Sequence, residues 1–173
     1  PWSAPMSVRP ILLISALAAA AAACAPTPPV GGYGAPAAAV FKAEDFAWSQ
    51  RAGPAAIDGR VEYRRDGRAY ACTGSAGLTP DTPYTRQRFA ALYGSTDRAA
   101  VPEAVVRARN VPDPNADYRA YVRSERCENG RFRFVGLPDG GWFVIVPVSA
   151  DSDRVVLMRF VQTRGGRVTN VVM

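Results

Sequence analysis

Histidine is absent from all 173 residues. That one absence removes the commonest general base and the commonest metal ligand. It excludes Ser-His-Asp and Cys-His catalytic arrangements and any histidine-bearing zinc site. Lysine is reduced to Lys42, so the net charge of +6 is carried by arginine. The arginines stand as singletons or pairs such as Arg64-Arg65, with no run of the kind that forms a nucleic-acid-binding arm. Nucleic acid is therefore not an expected partner. No Gly-rich phosphate loop occurs, because Gly140-Gly141 and Gly165-Gly166 read as turn tips. No carboxylate pair is placed for general acid and base work: Asp81, Asp97, Glu103, Asp151 and Asp153 all fall in turn-like contexts, where solvated charge is the rule. The expectation is a protein without cofactor and without catalytic residues.

Apolar runs are scarce too, and the longest carries an address. Residues 11–23 are too short to cross a bilayer as a helix but suit the apolar core of a signal peptide. Arg9 supplies the preceding positive charge, and Met6 is the expected true start, with residues 1–5 read as an upstream extension. Ala21-Ala22-Ala23-Cys24 resembles the bacterial lipobox, in which a peptidase cuts before a lipid-modified cysteine; Ala21 stands where that pattern prefers leucine. The resemblance implies lipidation of Cys24. Ala25 is not the aspartate that retains lipoproteins in the inner membrane, which implies the outer membrane, facing the periplasm. Residues 24–55 are rich in Pro, Gly and Ala and read as a tether.

From residue 56 onward the pattern is β. Ile57 to Tyr63 alternates apolar and polar side chains, Asp66-Gly67 suits a two-residue hairpin, and residues 68–73 read as the returning strand. Residues 131–135 alternate again, Pro138 to Gly141 is turn chemistry, and residues 142–148 form a short apolar run suited to a strand buried on both faces. Residues 155–163 and 168–173 read as a last hairpin around Gly165-Gly166. One segment breaks the pattern. Thr82 caps a predicted helix with Pro83 at its first position, Phe89, Leu92 and Tyr93 on one face, and Gly94 at its end. Residues 80–117 read as a partly helical insertion, within which 101–106 fit a strand or a helix.

Residues 129–146, NGRFRFVGLPDGGWFVIV, resemble the carboxypeptidase regulatory-like and transthyretin-like β-sandwich family. Asn129, Gly130, Phe132, Phe134, Gly136, Leu137, Pro138, Gly140 and Trp142 follow its pattern in order, and residues 57–61 resemble its first strand. The resemblance implies an all-β Greek-key sandwich of about seven strands over residues 56–173; the insertion is the departure from it. Such a fold licenses no activity by itself.

Cys72 and Cys127 remain as an even pair. In an oxidising compartment this points to a disulfide, the alternative being two separate small buried side chains. Tyr84, Arg86, Arg88, Tyr93, Tyr118, Arg119 and Tyr121 combine aromatic faces with guanidinium forks, which suits sugar rings and anionic polymers; the alternative is tyrosines packed on the sandwich with solvated arginines. Asp113, Asn115 and Asp117 alternate as in a calcium loop, but Tyr118 replaces the required glycine, Ser124 the bidentate glutamate, and Glu125 falls one residue late. A polar turn is the plainer reading.

The function expected on these grounds is that of a non-catalytic, lipid-anchored envelope protein whose sandwich serves as a structural or interaction module, with cell-wall polymer or envelope proteins as partners. The alternative is a carbohydrate- or peptidoglycan-binding module using the Tyr/Arg insertion. A third expectation, a hydrolase without histidine, requires a deep pocket lined by carboxylates.

Overall fold

The structure is a computed structural model that describes residues 37–109, 111 and 116–173. Cys24 lies outside these residues. Eleven strands occur among them: β1 (Ala55–Arg60), β2 (Arg64–Arg65), β3 (Arg68–Ala69), β4 (Ala71–Cys72), β5 (Ser75–Pro80), β6 (Arg98–Pro102), β7 (Arg123–Arg126), β8 (Arg131–Leu137), β9 (Gly140–Ala150), β10 (Asp153–Thr163) and β11 (Val168–Val172). The helices are α1 (Pro83–Tyr93) and α2 (Glu103–Ala108), with 3-10 turns at Ala43–Gln50 and Ala116–Tyr121.

Two sheets face each other as an all-β sandwich with a small helical part. The smaller runs β11-β1-β8. The larger runs β6-β10-β9-β5-β7, with β4 also bonded to β9. Side chains alternate across each strand, and those turned inward meet in one apolar interior: Ile57, Phe132, Phe134 and Val171 from the smaller sheet, Leu78, Trp142, Val144, Val146 and Leu157 from the larger. The apolar run at residues 142–148 is explained by two-sided burial. Trp142 and Val144 enter this interior, while Phe143 packs outward under Phe89 and Tyr93 of α1.

Helix α1 starts and stops where the sequence predicts. The Thr82 hydroxyl accepts from the Thr85 backbone N–H at 3.2 Å, and the Thr85 hydroxyl accepts from the Thr82 N–H at 2.9 Å, a reciprocal capping box. Gly94 closes the helix at φ 73°, a left-handed position that favours glycine.

Five local expectations are refined or corrected. Residues 80–117 are partly helical as expected, and they also add a strand to the larger sheet: β6 pairs antiparallel with β10, from Arg98 opposite Arg159 to Pro102 opposite Val155. The ambiguous stretch around 101–106 is both things in turn, strand to Pro102 and helix from Glu103. Gly165-Gly166 does not make a hairpin. It carries the chain from β10 in one sheet to β11 in the other, where β11 runs parallel to β1. β1 likewise ends at Arg60 and pairs with β8 and β11; Asp66-Gly67, at φ 51° and 75°, turns only the small β2-β3 hairpin. Finally, the folded chain begins before residue 56. The 3-10 turn Ala43–Gln50, expected within the tether, buries Phe46 and Ser49 completely. Trp48 packs edge-on to Trp142 at 4.8 Å.

Cys72 and Cys127 are joined as a disulfide, with Cα atoms 5.9 Å apart and a sequence separation of 55.

Candidate functional site

The Tyr/Arg group singled out from sequence is divided by the fold. Tyr84 and Tyr118 are buried with Phe46, their rings 5.7 Å apart, and Tyr121, Phe41 and Val122 pack against them. Arg88 and Arg119 lie over the Tyr118 ring at 5.5 and 6.0 Å. Arg86 is elsewhere: it pairs with Asp81 and covers Phe143 and Phe160. Tyr93 belongs with Phe89 and Phe143 on the outer face of the larger sheet, where burial pushes its hydroxyl pKa up to about 12. These tyrosines spend their faces on the protein's own rings. Among the described residues no group of three metal-ligating side chains occurs. Asp113, Asn115 and the side chain of Asp117 lie outside the described residues.

A different surface collects exposed polar groups, most of them paired with one another. On the outer face of the smaller sheet, alternation turns Asp58 and Arg60 to solvent while Ile57 and Gly59 face inward. Register then places Asn170 and Arg133 on either side of Asp58, and Val172 and Arg131 on either side of Arg60. Arg133 Nη1 donates to both Asp58 oxygens, at 3.0 and 2.9 Å. Arg60 Nε meets Glu62 at 2.7 Å. Asn170 and Arg131 have no side-chain partner among the described residues. A cleft of about 720 Å³ opens beside it between β8 and the end of β7, lined there by Glu125 and Arg126 and by Glu128 just past the strand, with Arg126 paired to Glu128 at 3.3 Å. A smaller hollow of about 130 Å³ shares Asp58 and Arg131 and adds Arg60 and Asn170.

Local sequence builds this face in two ways. Gly59 leaves room for the Phe132 ring, which would collide with any Cβ there. Asn129 and Gly130, at φ 51° and 71°, form the tight turn that brings Glu128 opposite Arg131, with paired backbone bonds of 2.9 Å. Chemically, the face presents acceptors, donors and planar guanidinium forks in one row, the set that hydrogen-bonds pairs of hydroxyls or carboxylates. Sequence reasoning passed over it because Asp58, Arg131, Arg133 and Asn170 are far apart in the chain. The only signal for it was period-two alternation in strands that also matched the family pattern.

A second polar cluster ties elements together. Asp153 accepts from the Tyr70 hydroxyl, from Arg65 and, at 3.4 Å, from Arg68. The Tyr70 bond, then the Arg65 bond, hold its carboxyl below the usual range, and the bond to Asp153 raises the Tyr70 hydroxyl above its own. The cluster fastens the β2-β3 hairpin to the β9-β10 turn.

No protein-family model matches the chain, and no curated protein matches it. Among solved structures it is similar to a protein from Pseudomonas aeruginosa put forward as carbohydrate binding, with a TM-score of 0.56 and 20% identity over 77% of this chain and 96% of that one. At that identity the likeness is one of fold.

Proposed function

We propose that this chain is a non-catalytic, lipid-anchored module of the bacterial cell envelope that binds a polyhydroxylated polymer, a glycan or peptidoglycan, on the outer face of its smaller sheet. The observation that carries the reading is the row Asn170, Asp58 and Arg133 across three strands, flanked by Arg60 and Arg131. Vicinal sugar hydroxyls both donate and accept. A carboxylate, an amide and a guanidinium at strand spacing, about 4.8 Å apart, answer them without an enclosed pocket. The likeness in fold to a proposed carbohydrate-binding protein supports the same class of ligand. The family resemblance of residues 129–146 is compatible with it, since sandwiches of that type serve as attachments and binding modules. The absence of histidine from the sequence favours binding over catalysis. Anchoring is assigned to Cys24 and the signal-like segment before it. The outer membrane, facing the periplasm, is the matching location.

The test is retention on insoluble peptidoglycan and on a panel of immobilised glycans, wild type against Asp58→Ala and Arg131→Ala. Wild-type retention lost in both variants, with unchanged circular dichroism, is the expected result. Wild type that fails to bind any polymer refutes the reading. Mass spectrometry of the mature N-terminus tests the anchor, and an unmodified Cys24 refutes that part alone.

A further inference from the structure

The larger sheet continues past β10 to β6, whereas the smaller sheet ends at β11, so the inner face of β6 has no strand set opposite it. A cavity of about 410 Å³ fills this open seam. That size falls within the range of small-molecule sites, about 300–1,000 Å³. Register orders its lining. Arg98 stands opposite Arg159, and Ala100 stands opposite Leu157. Alternation puts both pairs on the same face, the inner one, because Leu157 belongs to the sandwich interior. One step along the ladder is cationic and the next is apolar, with Tyr63 and Met173 completing the apolar wall.

Among the described residues the two arginines meet no acidic side chain in the lining of the cavity. Arg159 spends one nitrogen on the Val172 carbonyl at 2.7 Å, and Arg98 reaches only the exposed Asp97, at 3.8 Å. Like charges directly opposite each other on a sheet repel, and an anion between them reverses the sign of that interaction. We propose that this seam binds an amphipathic anion, an alkyl-chain carboxylate. Its head bridges Arg98 and Arg159, and its chain lies over Ala100 and Leu157 against Tyr63 and Met173. The site is separate from the glycan-binding face and does not depend on it.

The experiment is isothermal titration of the full chain with decanoate below its micellar concentration. Decyldimethylamine oxide serves as the same tail with a head of no net charge and no sugar, and acetate as the same head without a tail. Saturable one-site binding of decanoate is expected, with both controls weaker by about tenfold or more. Arg98→Gln, an exposed change that leaves the fold untouched, should weaken decanoate by about tenfold. Ala100→Trp, which fills the seam, should abolish binding. Three results overturn the proposal: no saturation by decanoate, decyldimethylamine oxide binding as well as decanoate, or Arg98→Gln binding like wild type. Circular dichroism of Ala100→Trp distinguishes a filled seam from a lost fold. Should that variant misfold, Arg98→Gln and the two control ligands decide the matter by themselves.

Discussion

The indole of Trp48 meets Trp142 at 4.8 Å with their planes at 63°, so a residue from before the first strand closes one end of the sandwich. Arg123 lies over the same Trp142 ring at 5.6 Å and donates to the Ser49 carbonyl at 2.8 Å, locking the closure in place. Phe46, fully buried, joins Tyr84 and Tyr118 in the neighbouring cluster. The physical boundary of the domain therefore lies upstream of its strand pattern. Phe46→Ala should cost about 3–5 kcal/mol, within the range for deleting a buried aromatic side chain. A chain beginning at residue 56 should melt well below one beginning at residue 37. Equal melting temperatures for the two would show that the 3-10 turn contributes nothing.

The Cys72–Cys127 bridge joins β4 to the stretch between β7 and β8. Closing a loop of 55 residues restricts the unfolded chain, which on the chain-entropy model stabilises by roughly 4 kcal/mol. Replacing both cysteines by serine should lower stability by an amount of that order in urea unfolding. Reductant should reproduce the loss in wild type and leave the double variant unchanged.

Asp153 provides a pH-dependent term of known sign. Its carboxyl is depressed in the folded protein, chiefly by the Tyr70 hydroxyl bond and then by Arg65. The stabilisation it provides is present above the ordinary carboxylate range and is lost as pH falls through its lowered folded value. Tyr70→Phe should reduce stability at neutral pH and flatten the acid limb of the stability profile. Parallel acid limbs for wild type and Tyr70→Phe would contradict the assignment.

Gly59 and Asp58 are adjacent, yet their substitutions should separate stability from binding. Any Cβ at Gly59 runs into the Phe132 ring, a core aromatic without free space, so Gly59→Ala should cost about 1–3 kcal/mol as overpacking. Asp58 and Arg133 form an ion pair with side chains 37% and 54% exposed. Asp58→Asn should therefore change stability by no more than about 1 kcal/mol, while lowering polymer retention. Thermal melts and the retention assay on the two variants check both halves.

Local chemistry made much of this fold legible. Thr82, Pro83 and Gly94 bound α1 because capping depends on residues within one turn of each other. Asp66-Gly67 and Asn129-Gly130 turn as their positive φ values demand. Phe132 and Phe134 face inward because strand alternation is a property of the backbone. The site was less legible. Tyr84 and Tyr118 looked available in the sequence and are buried, since an aromatic side chain beside an arginine reads the same whether the ring meets a sugar or Phe46.

By itself, then, the sequence pointed to the all-β class, set the caps of α1 and the Asp66-Gly67 and Asn129-Gly130 turns, excluded histidine chemistry, and left Cys72 and Cys127 open between a bridge and two separate buried side chains. Tertiary structure alone decided that Gly165-Gly166 crosses between sheets, that β11 runs parallel to β1, and that Asn170, Asp58 and Arg133 stand in one row. The reason is range. Turn and cap preferences are settled by dihedral angles and hydrogen bonds a few residues apart. Strand partners are chosen by which apolar faces bury one another, a choice made between segments separated by up to a hundred residues or more.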